Sequence, residues 1–303
     1  MPEARWIDLI DPTGDEIKTH LPGHIHPTAL DLLLAPPVHD DEPRPRIESH
    51  GDYVLGIMLV VVAVKSEDRV YYQEVDFVLT ADQLVTVSKT PPDEAPYDPK
   101  PVKDACSPEE HVGMFAFRLI DDISERYLDL IDDLNDEIDE LEDKVEEWPA
   151  AKVRGRVSDL RHDMLGIRRT LAPTRDAVRK IVDGRIELEG GGDLFPREVQ
   201  IHFGDAYDKL LRASDGLETS RDLVAGVRDY SQSKIANDQN EVMKRFTVIA
   251  SMLLLPTFIV GLYGQNFHHI PELGWHWGYW WSWGLIIGTT IGQLIFYRWK
   301  KWV

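Results

Sequence analysis

Two long uncharged stretches near the C-terminus restrict this chain to a small set of folds. They run from Phe246 to Leu262 and from Tyr279 to Tyr297, and the polar segment between them opens with YGQNF. A helix rises about 1.5 Å per residue, so stretches of this length approach the ~30 Å of hydrocarbon in a bilayer. The pattern predicts two transmembrane helices, over residues 246–262 and 279–299, joined by a loop over residues 263–278 at one membrane face.

The charges around these stretches predict their orientation. Lys244 and Arg245 precede the first stretch, Arg298, Lys300 and Lys301 end the second, and the connecting loop has no Lys or Arg. Because basic residues favour the cytoplasmic side, we expect both termini to be cytoplasmic and the loop to be extracytoplasmic. Trp residues crowd both boundaries, as interfacial aromatic belts do. The alternative is a buried hairpin of a soluble protein, which the charge asymmetry disfavours.

Composition excludes several classes of function. A formal net charge of -20 at pH 7 argues against a nucleic-acid partner, and it suits either the handling of cations or simple solubility. The single cysteine, Cys106, excludes an intramolecular disulfide and a thiolate-cluster zinc site, and it fits a reducing cytosol. The N-terminus has no signal-peptide pattern, so we expect the soluble part to stay in the cytoplasm. No nucleophile–base pair or catalytic metal cluster is recognisable, so neither an enzyme nor a catalytic cofactor is predicted.

Residues 1–107 are predicted to form a cytosolic α/β domain. The run from Tyr53 to Lys65 is almost wholly apolar and rich in Val and Ile, which is typical of a strand buried on both faces. A proline-rich stretch, residues 91–101, closes this unit. The predicted strands cover residues 6–10, 53–65, 70–79 and 84–88, and a short helix covers residues 25–34.

Residues 108–194 are predicted to be helical. Apolar residues recur every three or four positions from Ile123 to Trp148 on a densely acidic helix, and from Val153 to Leu171 on a basic one. Trp148-Pro149 separates the two, which favours an antiparallel hairpin with an apolar seam and flanking charge pairs. The acidic run is interpreted as a solvated and partly paired face, with a cation-gathering surface as the alternative.

A long helix is predicted to enter the membrane from this soluble part. No strong helix breaker separates Pro196 from Pro256, so a helix ending at Leu262 would be on the order of 100 Å long. Residues 195–245 are therefore predicted to be a cytosolic stalk continuous with the first transmembrane helix. The chain then ends in a basic cytosolic tail, residues 300–303.

Two spans cannot enclose a pore, so conduction would require an oligomer with one helix of each subunit on the axis. Small, polar or flexible side chains recur along the helix that continues the stalk, which makes it the candidate for the inner ring; they are Asn240, Met243, Thr247, Ser251, Leu254 and Thr257. Helix packing is the alternative role for the polar members. The second helix has a small-xxx-small pattern, Gly284, Gly288 and Gly292, which we assign to packing around that ring. Neither span holds a titratable group of a proton relay, which fits a passive path for hydrated ions.

The chain resembles the CorA family of magnesium transporters, within the two-transmembrane group marked by Gly-x-Asn. The tripeptide alone is a weak signal, but an ordered set of segments along nearly the whole chain is specific. These segments are IHPTALDLLL (25–34), RPRIE (44–48), FGDAYDKL (203–210), NEVMKRFTVIA (240–250), PTFIVGLYGQNF (256–267), PEL (271–273), WGY (277–279) and the closing KKWV.

The resemblance implies a homopentamer in a bacterial-type inner membrane. An α+β cytosolic funnel would lead through long stalk helices to a two-helix transmembrane region, with Mg²⁺ as both the transported and the regulatory ion. Asn266 would ring the outer mouth as the selectivity filter, with Tyr263 and Gly264 shaping the turn. Mg²⁺ gives up water reluctantly, so neutral oxygens that hydrogen-bond its first water shell suit it. Met243 and Phe246 would form a hydrophobic constriction that gates the pore.

The resemblance also implies regulation by divalent ions between neighbouring subunits. Asp205 matches an acidic position that binds such an ion, and its partner across the interface would be Asp98, Asp93 or Glu94. A plain helix-surface acid is the alternative role for Asp205. High internal Mg²⁺ would hold the pore closed, and divalent ions would enter down the membrane potential.

The outer loop departs from the magnesium pattern. Gln265 stands where the magnesium branch usually has Met, and the loop adds His268, His269 and His276 beside its one acid, Glu272. Imidazole suits Zn²⁺, Co²⁺ or Ni²⁺ better than Mg²⁺, so a ZntB-like zinc transporter is an alternative. A membrane-anchored sensor or scaffold that conducts no ion is another.

Overall fold

The computed structural model describes residues 5–37, 42–64, 69–107, 109–188, 193–266, 268 and 270–302. The chain divides into two compact units, Met1–Arg228 and Asp229–Val303. The glycine-rich segment of residues 189–193 lies outside the described residues except for Asp193.

The first unit is built on a five-stranded sheet with the order β1-β5-β4-β3-β2. Strand β1 pairs with β5 in parallel, and the other neighbours are antiparallel. The four predicted strands are present, and β2 is an addition that its single buried apolar residue, Ile47, did not reveal. The strands are β1 (Arg5–Ile10), β2 (Arg46–Ser49), β3 (Val54–Val64), β4 (Arg69–Leu79) and β5 (Gln83–Lys89).

Strand β3 is covered on both faces, as its unbroken apolar run predicts. Its first eight residues, Val54 to Val61, are all buried. One face packs against two short helices, α1 (Gly14–His20) and α2 (Pro27–Leu34), and the other packs against the long helices that follow. Helix α1 was not predicted, although a capping box marks its start: Thr13 caps the backbone of Glu16, and the Glu16 carboxylate accepts from Thr13.

Helices α4 (Val112–Lys144) and α5 (Ala150–Val182) form the predicted hairpin. The short helix α3 (Lys100–Asp104) precedes them, and α6 (Arg197–Tyr263) follows and extends into the second unit. The apolar stripes of α4 and α5 are buried, and the two helices also exchange an ion pair between Glu137 and Arg156. Helix α6 joins α4 through Lys209, whose ammonium lies 2.9 Å from Asp121 and 2.6 Å from Glu125. Most other acids of α4 are exposed, as a solvated face requires.

Helix α6 is one uninterrupted element of 67 residues, as the absence of breakers predicts. Pro256 lies inside it. Among the residues that the structure describes, α6 is the one helix that is long and apolar enough to cross a membrane, with a window of mean hydropathy 2.0 that is 11% buried. A short 3₁₀ helix, Pro271–Gly274, then leads to α7 (Gly278–Trp299), which occupies the second predicted span but is less apolar because Trp, Tyr and Gly fill its first turns.

A buried charge cluster crosses β4 and β5. The Lys89 ammonium lies 2.6 Å from Glu74 and 2.7 Å from Asp76, and it donates to the Leu32 carbonyl at 2.8 Å. Asp76 is wholly buried. Burial raises the pKa of the Asp76 carboxyl well above its usual range, the nearby Glu74 carboxylate adds to this, and Lys89 opposes it. One cation therefore compensates two acids inside the sheet.

Replacing Lys89 by Met should destabilise the fold strongly, because it leaves two acids buried without their cation. Breaking a buried ion pair from one side costs about 3–5 kcal/mol. Lys144→Met is the matched control, because its pair with Glu147 is exposed and should contribute little. Denaturant unfolding of the full chain in detergent measures the difference. Equal stability of the two variants would show that the cluster contributes nothing.

Candidate functional site

The second unit pairs the end of α6 with α7 along one face of each helix. Val248 and Ile259 are 4% and 6% exposed on α6, and Tyr297 is 9% exposed on α7, whereas most neighbouring side chains are open. Ser251 and Tyr297 are joined by a hydrogen bond of 2.7 Å. The face of α6 that carries Val248, Ser251 and Ile259 is therefore the face toward α7.

The predicted pore stripe lies mostly on the other side of α6. Successive residues of an α-helix are rotated by about 100°, which places Met243, Phe246, Leu254 and Thr257 roughly opposite Val248. All four are exposed, Leu254 to 69%. This face is free to meet identical helices around an axis, or lipid.

The two threonines of the stripe bond to their own helix. The hydroxyl of Thr247 donates to the Met243 carbonyl at 2.8 Å, and the hydroxyl of Thr257 donates to the Leu253 carbonyl at 2.7 Å. Asn240 is exposed toward the stalk end of the same stripe. The stripe is thus mostly available as a surface, but Ser251 is not part of that open face.

Ser251 belongs to the contact between α6 and α7. Besides its bond to Tyr297, its carbonyl accepts from the Gln293 side chain at 3.1 Å. The sequence allowed either pore lining or helix packing for Ser251, and these two hydrogen bonds favour helix packing. Gln293 and Tyr297 were missed as interaction residues; a lone amide in an apolar helix is the signal that would have found Gln293, since such groups bond between helices.

The glycine stripe of α7 does not pack against α6 of the same chain. A Cβ placed on Gly284, Gly288 or Gly292 would meet no atom within 4 Å in the described part of the chain, and all three glycines are exposed. Helix α7 turns a different face to α6, the one that carries Gln293 and Tyr297. Close packing at the glycines would therefore require another subunit.

The segment with the filter residues begins where α6 ends. Tyr263 is the last helical residue, and the amide of Gly264 still donates to the Val260 carbonyl at 2.8 Å. A Cβ on Gly264 would lie 3.0 Å from that carbonyl oxygen, so glycine fits this tight end. Gln265 and Asn266 follow with exposed side chains. The side-chain amides of Gln265 and Asn266 are therefore exposed at the end of α6.

The two described histidines of the loop, His268 and His276, belong to no metal site among the described residues of the chain. His268 and His276 are exposed, and the ring of His276 stands edge-on to Trp277 at 5.8 Å between centroids. His269 lies outside the described residues. Glu272 is half-buried in the 3₁₀ helix. Over the described residues, His, Cys, Asp and Glu nowhere gather in groups of three or more that could hold a metal ion.

The predicted regulatory acids lie in the first unit and are unequal in availability. Asp205, Asp93 and Asp98 are exposed, although one oxygen of Asp98 accepts from the Lys100 amide at 2.9 Å. Glu94 is paired with Arg69 at 2.6 Å. A divalent ion at Glu94 would have to displace that guanidinium, whereas the side chains of Asp93 and Asp98 are exposed.

Comparison with known sequences decides the family. A profile of the family described as CorA-like Mg²⁺ transporter protein matches residues 3–300. The chain belongs to this family. The cobalt/magnesium transport protein CorA of Thermotoga maritima is 29% identical over 283 residues, which cover 92% of this chain and 77% of the relative. CorA-type membrane transport, as predicted from the ordered segments, is thus confirmed at the level of the family.

Solved structures agree with the CorA fold. The complete structure of the CorA magnesium transporter from Methanocaldococcus jannaschii matches with a TM-score of 0.79 at 21% identity, covering 99% of this chain and 92% of that one. The cytoplasmic domain of ZntB from Vibrio parahaemolyticus matches with a TM-score of 0.55 at 18% identity, covering 78% of this chain and 89% of that one. The predicted α+β domain with a long helix and a C-terminal helix pair is therefore confirmed.

Gly278→Ala should distort the loop of this CorA relative. A Cβ on Gly278 would lie 2.5 Å from the backbone oxygen of Glu272, so the start of α7 or the 3₁₀ helix must move. Gly274→Ala is the matched control, because nothing described lies within 4 Å of a Cβ there. Thermal unfolding in detergent should show a lower Tm for Gly278→Ala alone, and similar values for both variants would contradict the close approach.

Proposed function

We propose that this protein is a passive channel for divalent cations, with Mg²⁺ as its main substrate and Co²⁺ and Ni²⁺ as further substrates. The observation that carries the proposal is the arrangement of α6. Its face away from α7 bears the exposed stripe of Met243, Phe246, Leu254 and Thr257, and the helix ends directly before Gln265 and Asn266. One continuous helix thus joins a lining surface to a pair of exposed amides.

A conducting form needs several copies of the chain. Helix α7 covers one side of α6, so copies arranged with α7 outside would turn the open stripe toward the axis. We propose a homopentamer, with α6 as the inner ring and α7 as the outer ring in the lipid bilayer. The open glycine face of α7 supports this arrangement, because it offers a close-contact surface to a neighbouring subunit. Both termini would be cytoplasmic, as the basic flanks favour.

The proposed filter is a ring of Asn266 side chains at the outer mouth. Amide oxygens are neutral, so they can accept hydrogen bonds from the water shell of Mg²⁺ without stripping that shell. Tyr263 and Gly264 would set the direction of the turn, and Gln265 would add a second amide. Deeper in the pore, Met243 and Phe246 would form a constriction that closes by dewetting.

The membrane potential is sufficient to drive entry. Each elementary charge that crosses 100 mV gains ~2.3 kcal/mol, so a divalent ion gains roughly 4–5 kcal/mol. Acidic groups in the first unit would supply feedback: internal Mg²⁺ would bridge Asp205 of one subunit and Asp93 or Asp98 of the next. When internal Mg²⁺ falls, repulsion among these acids would loosen the interfaces and open the pore.

A ZntB-like zinc transporter is the second candidate. Its supporting observations are the exposed imidazoles of His268 and His276 and the exposed amide of Gln265 where the magnesium branch usually has Met. Imidazole nitrogen favours Zn²⁺ over Mg²⁺. A scaffold that conducts no ion is the alternative from another class, and it predicts no flux at all.

Asn266→Ala should reduce Mg²⁺ flux into proteoliposomes at least tenfold, because each subunit loses an amide oxygen that contacts the hydrated ion. Asn237→Ala is the matched control, since Asn237 is exposed on α6 but lies outside the stripe. Competition with Zn²⁺, Co²⁺ and Ni²⁺ on the unmodified protein ranks the substrates. Unchanged flux in Asn266→Ala would remove this residue from the filter, and preference for Zn²⁺ would favour the second candidate.

Asp205→Ala should raise the internal Mg²⁺ concentration that half-closes the channel, because the proposed bridge loses one carboxylate. Asp208→Ala is the control, being another exposed acid less than one turn further along α6. The measurement is flux from proteoliposomes loaded with graded internal Mg²⁺. Normal closure of Asp205→Ala would make this residue a surface acid without a regulatory role.

A further inference from the structure

We propose that Ser251, Gln293 and Tyr297 form a polar clasp that fixes α6 to α7 beside Pro256, and that the clasp positions the pore-lining face for conduction. This inference rests on the proposed function, since it concerns how the same helix works. It assigns a role to three residues within the apolar helix pair, two of which the sequence did not single out. Each is a positioning residue, because none faces the proposed path of the ion.

Two atoms of Ser251, its hydroxyl oxygen and its carbonyl oxygen, form hydrogen bonds to α7. The Ser251 hydroxyl lies 2.7 Å from the Tyr297 hydroxyl and also donates to the Val248 carbonyl at 2.9 Å. A serine hydroxyl has one proton, so Tyr297 is the donor in the contact between the helices. The Gln293 amide donates to the Ser251 carbonyl at 3.1 Å. Gln293 and Tyr297 are four residues apart, so they project from one face of α7.

Packing alone does not account for Gln293. Its carbonyl oxygen is buried and has no hydrogen-bond partner among the described residues. A buried acceptor left without a donor opposes stability, whereas leucine would fill similar space without that penalty. Between helices in hydrocarbon, hydrogen bonds and close packing replace the hydrophobic effect as the attraction. The amide is therefore best explained by the bond that it makes to α6.

The hydrogen bond from Gln293 to Ser251 lies close to Pro256, where α6 lacks a backbone hydrogen bond. Proline has no backbone N–H, so the Met252 carbonyl, next to Ser251, lacks its usual helical donor. One position later, the Thr257 hydroxyl donates to the Leu253 carbonyl at 2.7 Å, which leaves the Met252 carbonyl without a replacement from Thr257. Helix α6 is thus held by fewer backbone bonds just after the clasp. The clasp ties the preceding turn to α7, while the following segment leads to Gly264 and Asn266.

Helix α6 thus has a clasped turn before Pro256 and a segment after Pro256 that the clasp does not hold, and this difference predicts which part of α6 moves. With the clasp closed, Ser251 and the turn around it stay with α7, and changes of direction fall on the segment after Pro256. Without the clasp, Leu254 and Thr257 on the open face of α6 lose their fixed position. The balance between open and closed pores should then shift, although the oligomer still assembles through its other contacts.

The functional test uses the full-length protein in proteoliposomes. Gln293→Leu and Tyr297→Phe each remove a hydrogen bond while nearly keeping side-chain volume. Thr290→Val is the matched control, because that half-buried hydroxyl on α7 donates to Ile286 of its own helix. We expect each clasp variant to shift the half-closing internal Mg²⁺ concentration at least threefold, with native mass spectrometry showing an unchanged oligomer. Unchanged closure in both clasp variants would overturn the proposal.

A second measurement tests the contact without reference to ion flux. The Tm of the detergent-solubilised protein is compared for Ser251→Ala, Tyr297→Phe and the double variant. Contacting residues are non-additive, so the double variant should lose less than the sum of the single losses. Additive losses would show that the clasp does not form. Non-additive losses with unchanged closure would reduce it to a structural contact and overturn the positioning role.

The two proposals fail in different ways. If the unmodified protein carries no divalent cation, the proposed function is wrong, while the thermal cycle still reports on the contact. If the protein conducts and closes but both clasp variants behave as Thr290→Val does, the function stands and the positioning role is wrong.

Discussion

Helix α6 is a single element that packs in the first unit and also carries the membrane-length apolar segment. Its first part packs in the first unit through buried residues such as Phe203, Leu210 and Leu217, and its last part is a membrane-length apolar segment. In hydrocarbon every backbone group needs an internal partner, which an unbroken helix supplies everywhere except at a proline. Pro256 is that exception, and the clasp to α7 lies beside it. Both the proposed lining and its attachment therefore follow from this one helix.

The sequence predicted best where a pattern extends over many residues. The apolar run of β3, the stripes of α4 and α5 and the missing breakers of α6 all repeat one signal over several turns or strand positions. Short elements such as β2 and α1 were missed because their signals are local: β2 buries a single large apolar residue, and the start of α1 depends on Thr13 and Glu16. Ser251 shows a different limit. Spacing placed it on the right helix, but at about 100° per residue Ser251 lies only about 60° around the helix from Val248, on the side that meets α7.

The candidate site could be predicted only as far as it depends on one chain. The amides of Gln265 and Asn266 are free at the end of α6, as the position of the loop implies. Which acids remain available to Asp205 was not visible in the sequence, because it depends on the pairing of Glu94 with Arg69. The roles of these groups between subunits remain predictions.

The threonine hydroxyls give the proposed lining a definite polarity. Thr247 and Thr257 each donate their only hydroxyl proton to a carbonyl of their own helix, so the lone pairs of the oxygens are what remain for the lumen. A surface that presents acceptors without donors attracts the hydrogens of a cation's water shell. The water shell of an anion turns its oxygen atoms outward. These oxygens need hydrogen-bond donors, which the hydroxyls of Thr247 and Thr257 do not offer. Rejection of anions would thus begin in the wall of the pore, without a single fixed charge.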